Sequence, residues 1–166
     1  MALNGPINEE MNMPNNQTPD ITLTMAYGTN TGSGWINTTV SGTAYSYRFQ
    51  GGNDGAGGIT GKKNDGAVHV GFSVLDAPAD PGSGDLSTDS SISGVSFFTV
   101  SGTTKTPYTG NELEWNPDNQ TPVTSGKIKD KMDNVQEYYY SVSVLESTQS
   151  PANTIVCDPP IKNIGN

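Results

Sequence analysis

From Val135 to Asn163 the chain reads VQEYYYSVSVLESTQSPANTIVCDPPIKN, and this stretch limits the fold more than any other. Tyr138, Tyr140, Val142 and Val144 share one parity, and Tyr139, Ser141, Ser143 and Leu145 share the other. Side chains of a strand alternate between its two faces, so the pattern predicts a half-buried strand of about ten residues. Glu146 to Asn153 is a polar break, where Pro151 sits among the Ser, Thr and Asn residues that turn a chain. A shorter strand is expected at Thr154 to Asp158, ended by Pro159 and Pro160, neither of which can donate a ladder hydrogen bond. Together they predict a long hairpin that closes the domain. Tyr139 stands out because its neighbours face the other way; it is expected either in solvent or at an interface.

The rest of the chain gives weaker versions of the same signal. Ile21 to Tyr27 alternates, and Trp35 to Val40 and Tyr45 to Phe49 flank Ser41, Gly42 and Thr43 as a hairpin would. Tyr45, Tyr47 and Phe49 form its apolar face. Ala67 to Leu75 directs Val68, Val70, Phe72 and Val74 to the core and His69 outward. Ile92 to Val100 is a further strand, Leu113 to Trp115 a short one, Ser101 to Pro107 a connection, and Lys127 to Lys131 a strand or a turn. No segment is periodic at 3.6 residues over more than a turn or two. With 20 Gly and 11 Pro in 166 residues and only 32% hydrophobic side chains, the composition favours turns over helices. About eight short strands, with turns roughly every 8–12 residues, predict an all-β antiparallel β-sandwich. One domain is expected at 21–166. Residues 1–20 are polar and aperiodic, and read as a flexible arm whose Leu3, Ile7, Met11 and Met13 could anchor it on a neighbouring subunit.

The formal net charge is −9, and the 8 Lys and Arg residues are scattered. Nucleic acid and anionic membrane surfaces both demand a cationic footprint, so neither is expected as a partner. No apolar run approaches the roughly 18 residues that span a bilayer, so membrane insertion is not expected either. The first 20 residues lack the basic and apolar regions of a signal peptide, which predicts a cytoplasmic protein. Cys157 is the single cysteine, which rules out an intrachain disulfide and fits a reducing compartment.

One histidine and one cysteine leave little room for catalysis. A triad would have to use His69, and no nucleophile motif accompanies it. A Cys157–His69 dyad is conceivable in space, but a lone cysteine near a strand end usually serves as a small buried hydrophobe. No catalytic residue is therefore expected, and the chain does not read as an enzyme. Carboxylates offer the other chemistry. Asp54 and Asp65 lie in the Gly-rich stretch 50–66, and Asp76, Asp80 and Asp85 in the polar stretch 76–91. Such loops supply oxygen ligands to Ca²⁺, which takes about six to eight of them, although a solvated acidic loop is the plainer reading. Trp35, Trp115 and the tyrosines could stack on sugars, or fill the core of a sandwich.

The run from Lys127 into EYYYSVSVLES and then Asp158-Pro159-Pro160-Ile161-Lys162-Asn163 resembles small bacterial β-sandwich proteins of the DP-EP type. In these a Tyr-rich strand precedes a strand ending in Asp-Pro-x-Ile-x-Asn. The resemblance covers about a quarter of the chain and implies an immunoglobulin-like or cupredoxin-like sandwich with no established activity. A cupredoxin copper site does not carry over, since the chain lacks a second histidine. The expected function is a non-enzymatic structural or interaction module that self-associates, as a homo-oligomer, through its arm or its sheet edges. The alternative is a module that binds carbohydrate or another small ligand, with calcium assisting.

Overall fold

In the computed structural model the described residues are 19–59, 68–76, 90–131, 138–147 and 150–159, with the backbone alone described for 68–76. The expected arm, save Pro19 and Asp20, lies outside them. The described residues form ten strands and no helix: β1 Ile21–Tyr27, β2 Ile36–Val40, β3 Thr43–Gly51, β4 Val68–Asp76, β5 Ser90–Ser101, β6 Thr104–Pro107, β7 Leu113–Pro117, β8 Ser125–Asp130, β9 Tyr139–Glu146 and β10 Asn153–Cys157. Among them no helix is long and apolar enough to cross a membrane.

The strands form a six-stranded sheet, ordered β2-β3-β1-β4-β8-β7, and a four-stranded sheet, ordered β10-β9-β5-β6. Both give side chains to one core. Ile21, Leu23, Met25, Tyr45, Tyr47, Phe49 and Ile128 come from the first, and Ile92, Tyr140, Val142, Val144, Ile155 and Cys157 from the second. These are the residues of one parity along each strand, as period-two alternation requires. Burying each large apolar side chain is worth about 1.5–3 kcal/mol. Edge-to-face rings knit the middle of the core: Tyr47 on Phe49 at 6.0 Å and Phe49 on Tyr140 at 6.1 Å.

Two expectations change. The strand count is ten rather than about eight, partly because Thr104–Pro107, read as a connection, folds back on β5 and pairs Val100 with Lys105. Nor is the architecture purely antiparallel, because β1 and β4 run parallel, with Ile21 beside Phe72 and Leu23 beside Val74. The cause is topological. β3 returns antiparallel along β1 and ends with Gly51 beside Ile21, so a strand leaving from that end and lying on the far side of β1 must share its direction. At this corner Gly51 takes φ 85°, and a side chain there would run into the carbonyl of Asp20. The expected closing hairpin is present, with β10 antiparallel to β9 from Asn153 opposite Glu146 to Cys157 opposite Val142.

Candidate functional site

β10 is an edge strand whose one partner among the described strands is β9. Asn153, Ile155 and Cys157 turn inward, and Thr154 and Val156 outward. Val156 is 53% exposed, the large hydrophobic side chain most open to solvent among the described residues. An edge strand offers a row of unpaired N–H and C=O groups, and proteins usually blunt it with Lys, Pro or a bulge. β6 at the opposite edge carries Lys105 and Pro107, and β7 carries Glu114 and Pro117. β10 and the remaining edge strand, β2, carry no charge, no proline and no bulge, but the apolar side chains of β2, Ile36 and Val40, are half-buried.

Both ends of β10 are fixed by polar contacts. At its start Asn153 lies beside Glu146, the last residue of β9, whose side chain is fully buried. The Tyr45 hydroxyl donates to Glu146 Oε2 at 3.2 Å, and Asn153 Nδ2 donates to the Tyr45 oxygen at 2.8 Å. Ser90 on β5 flanks Glu146 on its other side. Burial holds the Tyr45 hydroxyl above the usual tyrosine range; the bond from Asn153 opposes this, and the nearby Glu146 charge adds to it. At the far end Asp158 accepts from Ser141 Oγ and pairs with Lys105 Nζ at 3.0 Å, while its backbone N–H donates to the Tyr47 hydroxyl at 3.2 Å. Lys105 reaches Asp158 over the Phe98 ring, 4.6 Å from its centroid, and Phe98 stacks on Tyr139 at 5.7 Å. Tyr139 is thus half-buried, with its ring held on the outer face of the sheet. The exposed Lys105–Asp158 pair itself is worth about 0–1 kcal/mol. Cys157 is buried with Sγ 3.7 Å from Met25 Sδ, and burial pushes its thiol far above the ordinary range.

Of the five acidic residues considered for calcium, Asp54 is the one whose side chain is described. Its Oδ1 accepts the backbone N–H groups of Ala56 and Gly58, both at 2.8 Å. Those bonds fold 51–59 into a compact loop, closed further by Asn53 N–H to Gly58 O at 2.7 Å and by the Tyr140 hydroxyl, which donates to Gly57 O at 2.8 Å. Burial, with the Asp54 charge adding, drives the Tyr140 hydroxyl well above the tyrosine range. Asp76 ends β4, its backbone opposite Met25. Asp65, Asp80 and Asp85, and the side chains of Asp76 and His69, lie outside the description. Among the described residues no three His, Cys, Asp or Glu side chains gather as metal ligands would. The two tryptophans separate. Trp115 packs partly buried against the core. Trp35 lies at the outer face of the six-stranded sheet, its ring 5.0 Å from the Arg48 guanidinium.

No family model, no curated protein and no solved structure matches the chain.

Two residues that shape these sites were legible but passed over. Glu146 continues the parity of Tyr140, Val142 and Val144, and so faces inward, although its charge suggested the start of a loop. Arg48 lies on the face of β3 opposite Tyr45, Tyr47 and Phe49, and so belongs to the outer surface.

Proposed function

We propose that the chain is a non-enzymatic assembly module, an immunoglobulin-like or cupredoxin-like β-sandwich that joins copies of itself through the β10 edge. The observation that carries this reading is the contrast between edges: β6 and β7 bear charge and proline, β2 and β10 bear neither, and of these two β10 is the one that exposes a large apolar side chain, Val156, while Ile36 and Val40 of β2 are half-buried. A second copy pairing its own β10 antiparallel across a two-fold axis extends the four-stranded sheet and covers Val156 on both chains. The polar contacts at Asn153 and Asp158 hold the strand straight before it meets a partner, which lowers the ordering cost of association. Burial of the single cysteine and the lack of any disulfide suit a cytoplasmic setting.

Light scattering tests this on the full chain and on a chain starting at Asp20. The wild type is expected as a discrete oligomer. Val156→Lys is expected to return it to monomer, and deleting the arm to leave it intact. A wild type that stays monomeric at high concentration, or an oligomer indifferent to Val156→Lys, would sink the edge. Loss on truncation alone would move the contact to the arm.

A second reading, a module for carbohydrate or another small ligand, with calcium held through the acidic stretches 50–66 and 76–91, is favoured by Trp35. Its half-buried ring stands on a sheet face beside Arg48, whose guanidinium reaches the exposed amide of Gln50. Such a mixture of a flat ring and polar side chains is how proteins grip sugars.

A further inference from the structure

Three buried side-chain atoms among the described residues have no hydrogen-bond partner, and two of them, Ser46 Oγ and Arg48 Nε, sit on the same face of β3. Ser46 is fully buried. Buried polar atoms without partners are rare in folded proteins; these two lie beneath the surface, and what the face offers outward is the end of the half-buried Arg48 side chain.

Arg48 is the only arginine in the chain. Its Nη2 donates to the neutral Gln50 Oε1 at 3.3 Å, and its guanidinium faces the Trp35 ring at 5.0 Å. The ion pairs among the described residues are Lys105–Asp158 and Lys129–Glu114, and neither involves it. In a chain with 17 Asp and Glu against 8 Lys and Arg, the sole guanidinium meets no carboxylate among the described residues. Strand pairing fixes the surroundings. Arg48 lies opposite Thr24 on β1, and Ser46 opposite Asn37 on β2 and Ala26 on β1. Trp35 immediately precedes Ile36, which pairs with Tyr47, so the ring stands level with Arg48. The face therefore presents a planar fork of donors, an aromatic wall and the amide of Gln50, while Ser46 lies buried beneath them and the Asn37 amide is bonded at both ends to the Asn30 backbone.

We propose that this face binds a carboxylate carried on a small ligand, a uronic-acid sugar being the form that also uses Trp35 and Gln50. This rests on the second reading above and names its ligand class. A carboxylate takes two parallel hydrogen bonds from a guanidinium, a geometry that a lysine ammonium cannot supply. It gives the outer end of the guanidinium the anionic partner that no described residue supplies.

Tryptophan fluorescence of the Trp115→Phe chain, which leaves Trp35 as the reporter, tests this by titration with glucuronate, acetate and glucose. Circular dichroism checks that each variant is folded. Glucuronate is expected to give a saturable change, acetate a weaker one, and glucose none over the same range. Arg48→Gln is expected to weaken glucuronate at least about tenfold, as is Arg48→Lys, which keeps the charge and loses the fork. Arg48→Lys carries the comparison should Arg48→Gln fail to fold. Equal binding of glucose and glucuronate, or unchanged affinity in both Arg48 variants, overturns the carboxylate site and leaves sugar binding standing. Silence with all three ligands overturns both. Acetate binding as tightly as glucuronate supports the carboxylate and removes the sugar.

Discussion

Glu146 illustrates how one buried acid can hold two elements in register. Its carboxylate meets Tyr45 from the opposite sheet, and Tyr45 in turn receives Asn153 from the neighbouring strand. Removing the acid leaves a cavity and takes the acceptor from the buried Tyr45 hydroxyl, so Glu146→Ala is expected to lower stability by about 2–4 kcal/mol. Glu146→Gln keeps the volume and one acceptor oxygen and is expected to lose less than half as much; urea unfolding measures both. Ser46 should behave in the opposite way. Its hydroxyl is buried with no partner, so Ser46→Ala removes a desolvated group and is expected to leave the ligand-free protein at least as stable in the same experiment. At this scale parity told more than polarity. The inward positions of β9 continue to Glu146, and residue type alone concealed it.

The elements divide by how local their causes are. β1, β3, β9 and β10 were legible because each alternates long enough to reveal its buried face. β6 was not, since TKTP has no apolar parity and all four residues are exposed; it is a strand only because Gly102, at φ 60°, folds it onto β5. The parallel neighbourhood of β1 and β4 leaves no trace in either segment, because strand order is decided by how the sheet is wound. The loop 51–59 is intermediate. Asn-Asp-Gly announces a turn, but its docking depends on Tyr140, more than 80 residues away. Tyr140→Phe is expected to cost about 1 kcal/mol and to speed hydrogen exchange in 52–58 with little change elsewhere. Equal exchange rates in the variant and the wild type would show that the loop stands on Asp54 alone. Calcium that bound Asp54 would have to share a carboxylate already occupied by two N–H groups at Oδ1.

For the molecule as a whole, burial of Tyr45, Tyr47, Tyr140 and Cys157 sets an alkaline limit. Each is raised in the fold relative to its unfolded value, near 10.0 for the tyrosines and 9.0 for the cysteine. The folded state therefore keeps protons that the unfolded chain releases, and stability falls as pH rises through that range. The melting temperature is expected to hold level up to about pH 9 as far as these groups are concerned, and then to drop steadily. Cys157→Ala should remove the earliest part of the drop, and a flat profile to pH 11 would contradict the burial of these groups. The order in which strands enter the core has a further consequence during synthesis. β1, β2 and β3 are contiguous and can pair once Gly51 has left the ribosome, yet the inner face they build is not fully covered until β9 brings Tyr140, Val142 and Val144 and the last strand brings Ile155 and Cys157. At about 5–20 residues per second the roughly hundred intervening residues take some 5–20 s. For that interval the nascent chain displays Tyr45, Tyr47 and Phe49 to whatever surrounds the ribosome, which makes it a client for chaperones, and a ribosome stalled before Ile155 would release a product that proteases clear.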